Sequence, residues 1–502
     1  MNCQISWCNF MNYKAIFSII GKIMIIMGLF MILPLTISLI YFKDEGIRNV
    51  LAFLIPIVCL LSIGFLLNVI MKKNSISKFG VKEAIIVVGL TWILMSLFGC
   101  IPFMISKEIP NFFDAFFEMA SGFTTTGASI VTDVEALSKS IIFWRSFSHW
   151  VGGMGILVFI LAIIPESKDG SSMHILRAES PGPQVGKLVS KMKATTRILY
   201  LIYFGLTILE ILFLYLGPDS KMTFFNSIIY SIGTAGTGGF SMDASGLAGY
   251  SAYSQYVISI FMLIFGVNFT VYYLLLIGNF KEVLKNEELR VYILIVLAAV
   301  ILITLNILST CQNLEEAFRF SLFQVATIIT TTGYASTDFN LWPAFSKIIL
   351  ICLAIFGGCA GSTAGGVKLS RIIILVKTFF RKIRQSISPR KIENIKVDGK
   401  VISEDTVEGV QSFIVAYAII LFICAFLISI DGLEGASMET YLSASLACIS
   451  NVGPGFEIVG PYGSFANFSW LSKLILSLEM IAGRLEIFPI LVLFSKNTWS
   501  KK

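Results

Sequence analysis

Long apolar runs constrain this chain more than any motif in it. A scan for stretches of about 20 residues, the length a helix needs to cross a hydrocarbon core, gives ten spans. They are Ile23–Tyr41, Val50–Ile70, Ala84–Ile105, Ile141–Ile164, Ile198–Leu216, Tyr256–Ile277, Val291–Leu308, Ile348–Phe380 with an interruption, Phe413–Ile430 and Leu471–Phe494. With 56% hydrophobic and 14% charged residues and a mean hydropathy of +0.82, a soluble 502-residue chain would expose far too much apolar surface. The expected fold class is an all-α polytopic membrane protein. The first run is longer than a signal-peptide core and lacks a clear small-residue cleavage site, so it is expected to remain in the protein.

Among the last eight spans lie four apolar runs too short to cross: Phe112–Phe123, Thr223–Ile232, Glu316–Ile329 and Thr440–Ile449. Each leads into a hydroxyl- and glycine-rich turn, namely TTTGAS (Thr124–Ser129), GTGGFS (Gly236–Ser241), TTTGYAS (Thr330–Ser336) and SNVGPGF (Ser450–Phe456). With Gly127, Gly238, Gly333 and Gly453 as reference positions, the turns are spaced 111, 95 and 120 residues apart. That is an internal repeat of span, re-entrant helix, turn and span. It divides the chain into a two-span extension, 1–80, and repeats over 81–195, 196–287, 288–405 and 406–502.

Non-helical backbone is tolerated at membrane depth only where protein or a water-filled cavity surrounds it. Four such turns around one axis satisfy that condition together. Carbonyls lining a narrow pore can replace the water shell of an alkali cation, and the partially negative C-terminal ends of the short helices favour a cation there. The candidate ion-binding residues are therefore Thr125, Thr126, Gly127 and Ala128; Gly236, Thr237, Gly238 and Gly239; Thr331, Thr332, Gly333 and Tyr334; and Asn451, Val452, Gly453 and Pro454. A carboxylate follows each turn, Asp133, Asp243, Asp338 and Glu457, and an acidic mouth would concentrate cations.

The interrupted span holds Gly357, Gly358, Gly361, Gly365 and Gly366 together with Ser362 and Thr363. Glycine weakens a helix by about 1 kcal/mol relative to alanine, and a mobile gate below the turns is one reading. GxxxG spacing makes close helix packing the other. Arg484 lies inside the last span, where a charge is costly and functional by default, unless it is a buried partner of Glu479 or Glu486. His149 reads as a packing histidine rather than a proton carrier.

Lysine and arginine collect at Lys72, Lys73, Lys78 and Lys82, in the Pro165–Arg197 loop, and in Lys368–Lys400, which holds ten. This bias places both termini on the cytoplasmic side. The +7 net charge is thus assigned to orientation, with contact to anionic membrane lipid as a second reading, and nucleic acid is not an expected partner. Nine cysteines without CxxC spacing and two histidines give little support to metal chemistry. No phosphate-binding motif is present, and no cofactor is expected in this chain beyond the transported alkali cation. An intramembrane hydrolase would need a nucleophile paired with a base, and no GxSx-type motif accompanies His149. A symporter with broken helices would usually show inverted halves rather than four repeats in one orientation.

Eight ordered segments, SGFTTTGAS, HWVGGMGI, RAESPGP, GTGGFS, TTTGYAS, FGGCAGSTAGGVK, NVGPGF and GRLEIFP, resemble the Trk/Ktr/HKT superfamily of potassium transporters, specifically its TrkH-type pore subunits. The two spans ahead of the first repeat are similar to the N-terminal pair that Ktr-type subunits lack. The resemblance implies four non-identical repeats around one pore per subunit, a homodimer, and a filter at the four turns. It also implies an intramembrane loop at the glycine cluster, Arg484 projecting below the filter, and a cytoplasmic nucleotide-binding regulatory ring such as TrkA. Gly127, where sodium-transporting members carry serine, favours potassium, while Val452 and Pro454 make the fourth turn depart from the other three. Channel-like potassium uptake across the cytoplasmic membrane is the function expected, with coupled K+/H+ or K+/Na+ symport as the alternative.

Overall fold

In the computed structural model the chain is mostly helical, and the structure describes residues 12–71, 80–155, 192–390 and 393–499. The first span starts at Tyr13 rather than Ile23 and runs as Tyr13–Phe30 and Ile32–Ile40. It packs against Phe42–Met71, which bends at Gly46 (φ 73°). Val81–Gly99 with Ile101–Ser106, Met192–Tyr215, Glu287–Ile307 and Glu404–Ile428 each precede one of four short helices. The last three of these longer helices carry large exposed apolar side chains, including Leu212, Leu294, Leu305, Phe422 and Phe426, as a lipid-facing surface requires.

Among the described residues six helices are long and apolar enough to cross a membrane, or seven if one bent pair counts as a span. Ten spans therefore do not emerge from helix length alone, and the cause is local. The helix after each turn stops early: Lys139–Gly153, Ala252–Phe265, Ala344–Phe356 and Trp470–Arg484 are 15, 14, 13 and 15 residues long. The second resumes as Phe269–Leu276 after a 91° bend, the third as Leu369–Ile387, and the fourth as Phe488–Phe494. The remainder of Ile141–Ile164, with Lys72, Lys73, Lys78, RAESPGP and nearly all of the Pro165–Arg197 loop, lies outside the described residues.

The four short helices form at Phe112–Phe123, Phe224–Gly236, Leu314–Ile329 and Met438–Ile449. Each is started by a side chain that accepts a free first-turn amide: Asn111, Thr223, Asn313 and Ser437. Their last turns are wholly buried, each wedged against the helix that follows its turn. The basic stretch Lys368–Lys400 is not an open loop. Helix Leu369–Ile387 fills half of it, and an antiparallel hairpin pairs Lys396–Val397 with Lys400–Val401. Four of its cations are engaged within the chain: Arg371 with Glu486, Lys377 with Glu287, Arg381 with Glu404 and Arg384 with Glu393.

Candidate functional site: a ring of four turns bonded to a glycine-rich loop

The four short helices end alike. Thr125, Thr237, Thr331 and Asn451 adopt left-handed backbone, with φ of 57°, 54°, 54° and 56°. Their amides donate three residues back, to Gly122, Thr234, Ile328 and Cys448, and the next amides, of Thr126, Gly238, Thr332 and Val452, donate five back, to Ser121, Gly233, Thr327 and Ala447. This is the Schellman arrangement that normally places glycine at the left-handed position. Here three threonines and an asparagine occupy it. Two residues on, φ turns positive again at Gly127 (83°), Gly239 (71°), Gly333 (91°) and Gly453 (100°).

That repeat corrects the register of the second turn. Gly239, not Gly238, is the counterpart of Gly127, Gly333 and Gly453. Gly238 matches Thr126, Thr332 and Val452, and it is small for a different reason: a Cβ there would run into the ring of His149.

The turns close on one another in chain order. A Cβ on Gly127 would overlap the Gly238 carbonyl oxygen, one on Gly239 the Thr332 oxygen, one on Gly333 the Val452 oxygen, and one on Gly453 would press on the Thr126 oxygen. Glycine is therefore required twice at each of these positions, by φ and by the neighbouring carbonyl. The side chains add a stitch, because Asn451 Nδ2 donates to Thr126 Oγ1 at 3.0 Å. All four positive-φ glycines line one vestibule with room for water over about 160 Å³, together with Ala128 and Pro454. Thr125, Thr126, Thr237, Thr331, Thr332, Asn451 and Val452 lie deeper and are buried. Tyr334 turns away from the vestibule, its hydroxyl donating to the Tyr230 carbonyl.

Helix Lys139–Gly153 braces the first two turns. His149 Nδ1 sits 2.8 Å from the Gly122 carbonyl, and its ring packs on Phe240 at 4.3 Å between centroids. This is the packing role expected of it. One helical turn earlier, buried Arg145 pairs with Glu118 at 2.7 Å and lies over the Phe240 ring. Glu118 in turn accepts from Ser129 and the Ile130 amide, pinning the chain just beyond the first turn. Sequence reasoning missed this pair, although Glu118 is a carboxylate inside an apolar run.

The four carboxylates expected at the mouth are not among the residues lining the vestibule. Asp133 accepts from the Ala136 amide and Asp338 from the Asn340 amide. Glu457 accepts from Ser437 and Thr440 at the start of the fourth short helix, and these bonds hold its carboxyl below the ordinary glutamate value. For Asp243 the structure gives a half-buried position after the second turn.

The glycine cluster is loop, as its composition suggested. Residues 357–368 are non-helical, with positive φ at Gly357, Gly361 and Gly366. The loop meets the turns directly: the Gly365 amide donates to Thr331 Oγ1 at 2.7 Å and the Gly366 amide to the Ser450 carbonyl at 2.8 Å. Gly358 packs near Ala364 and the Gly266 carbonyl, and Ser362 Oγ bonds within the loop to Cys359 O. Arg484 reaches the loop from the last repeat, donating to Thr363 O at 2.9 Å and to Gly152 O and Gly153 O at 2.6 Å. The two carboxylates considered as its partners bond elsewhere, Glu486 to Arg371 and Glu479 to Ser445. Two further breaks in the second helices, at Val267–Asn268 and at Glu486–Ile487 (φ 55° and 69°), carried no glycine cluster to announce them.

A ring of four turns closed on one another, set among apolar helices with the loop 357–368 bonded to two of them, defines a membrane transport protein. The comparisons carry this to a family. A family model described as TrkH, cation transport protein, matches residues 50–502, and the chain belongs to that family. It is 35% identical to the Trk system potassium uptake protein TrkH of Salmonella typhimurium, over 97% of this chain and 100% of the relative. It is 30% identical to the Escherichia coli Trk system potassium uptake protein TrkG, over 98% and 99%. The crystal structure of the potassium transporter TrkH from Vibrio parahaemolyticus superimposes with a TM-score of 0.85 at 30% identity, covering 98% of this chain and 100% of that one. These relatives are transporters, not enzymes.

Proposed function

We propose that this chain takes up potassium through a gated, channel-like pore in the cytoplasmic membrane, with both termini inside and the four turns as its selectivity filter. The observation that carries this is the closed ring, in which the residue before each positive-φ glycine presents its carbonyl to the preceding turn's glycine. Backbone held that closely can substitute for a hydration shell without reorganising. The loop 357–368 and Arg484 are read as the gate, since they bond to the third and fourth turns and to one another. A homodimer and a nucleotide-binding cytoplasmic ring are the assembly this reading entails. Named relatives in the Trk potassium uptake system support the choice of cation.

Purified protein in liposomes tests the reading through flux of potassium, rubidium, sodium and lithium, with Gly127→Ser as the variant. Potassium and rubidium are expected to exceed sodium and lithium, and Gly127→Ser to abolish that preference. Equal flux of all four ions in both proteins would remove the filter assignment, and strict dependence of potassium flux on a proton or sodium gradient would replace the channel with a symporter.

A further inference from the structure

One buried carboxylate holds the intramembrane loop from outside the filter and outside Arg484. Glu288, 7% exposed near the start of helix Glu287–Ile307, points a single oxygen, Oε1, at two amides. One is Ala360 N–H, inside the loop, at 2.7 Å; the other is Ser370 N–H, just past the loop's far end, at 3.0 Å. The same oxygen thus gathers both flanks of the segment. Ser370 belongs to the first turn of helix Leu369–Ile387, where free amides favour a negative charge.

The neighbouring residue strengthens the arrangement. Glu287 pairs with Lys377 at 2.5 Å, two turns further along the same helix. Its amide donates to Asp398 Oδ1 of the hairpin at 2.7 Å. Glu288 does not line the vestibule. Its two amide bonds join it to the loop and to the residue just past the loop's end, so it is a positioning residue.

We propose that Glu288 is the latch of the gate, holding loop 357–368 in its present position, and that release of its two amide bonds is a step in opening. This rests on the reading of the loop as a gate. Glu288→Ala removes the acceptor; Glu288→Gln keeps an amide oxygen but loses the charge, and charge-assisted bonds are roughly twice as strong as neutral ones. Opening should therefore rise in the order parent, Glu288→Gln, Glu288→Ala, reaching about tenfold for alanine, equivalent to roughly 1.4 kcal/mol. Selectivity should not change.

The loop carries its own reporter. Cys359 is 1% exposed and its amide donates to the Gly266 carbonyl, so its thiol should react slowly while the loop is latched. The experiment uses full-length protein in which Cys359 is the sole cysteine, reconstituted in liposomes. It measures potassium flux, the potassium-to-sodium ratio and the rate of Cys359 modification by a membrane-permeant maleimide. Faster modification together with faster, equally selective flux in the Glu288 variants supports the latch. Parent-like modification and flux in both variants would overturn it, and should Glu288→Ala not be recovered from membranes, Glu288→Gln decides alone. Arg484→Gln in the same vesicles separates the two levels. If it raises flux while the Glu288 variants do not, the loop gates but Glu288 is no latch. If modification accelerates in the Glu288 variants and no variant changes flux, the gate reading itself fails, and the latch with it.

Discussion

Four residues with side chains stand where a helix end ordinarily wants glycine, at a strain on the order of 1–3 kcal/mol each. At three of them, Thr237, Thr331 and Asn451, the side chains explain why glycine would not serve. Thr331 Oγ1 takes the Gly365 amide, Asn451 reaches Thr126 and the Met480 carbonyl, and Thr237 Oγ1 donates to the adjacent Gly236 carbonyl. The strain is held at the candidate site by contacts made only there. Gly238 shows how a residue-scale signal can mislead: read from sequence, it is the reference of the two consecutive glycines in GTGGFS, and backbone φ assigns that place to Gly239 instead. The distinction is testable. Gly238→Ala should lower potassium flux by colliding with the His149 ring, and His149→Ala should restore much of it in the double variant. Gly239→Ala should lower flux without rescue, because its obstacles are φ and the Thr332 carbonyl. Equal rescue of both would return the register to Gly238.

Elements differ in how plainly the sequence announces them. Three of the four short helices lie within two residues of expectation at both ends, and the second continues to Gly236 rather than stopping at Ile232, because each has a capping side chain, a compact apolar run and a hydroxyl-rich stop. Breaks in the following helices were legible only where glycine concentrates, at 357–366. At Glu486–Ile487 a β-branched residue sits at φ 69°, which local propensity argues against. Tertiary bonds decide there: the Ile487 amide donates to Ala482 O at 2.7 Å and Glu486 engages Arg371. Arg484 belongs to this scale as well, since it caps the carbonyl end of helix Lys139–Gly153, where a cation is favoured, and ties that end to Thr363. Hydrogen bonds to a charged group contribute roughly 1.5–3 kcal/mol. Arg484→Gln should weaken the tie and raise flux by about an order of magnitude with the ion preference intact. Flux unchanged in well-folded Arg484→Gln vesicles would show that the arginine only braces the helix end.

For the whole molecule, the repeat announced that four walls would surround one axis, but not which charges would fasten them. Arg371, from the third repeat, and Glu486, from the fourth, are both nearly buried, and the guanidinium also lies over Phe413 at 4.2 Å and donates to Val367 O. Spacing 115 residues apart in sequence hid the pair, and each member was legible only as a charge in or beside an apolar run. A buried pair costs desolvation that its attraction only partly offsets, whereas removing one partner strands the other charge at about 3–5 kcal/mol. Arg371→Met and Glu486→Met should each therefore lower the melting temperature of the detergent-solubilised protein clearly, and the double variant should recover most of the loss. The recovery matters more than the loss, because it separates a fastening pair from two independent packing residues. If the two decrements simply add, the repeats are held together at this seam by the surrounding apolar contacts of Phe413, Leu369 and Ile487 instead.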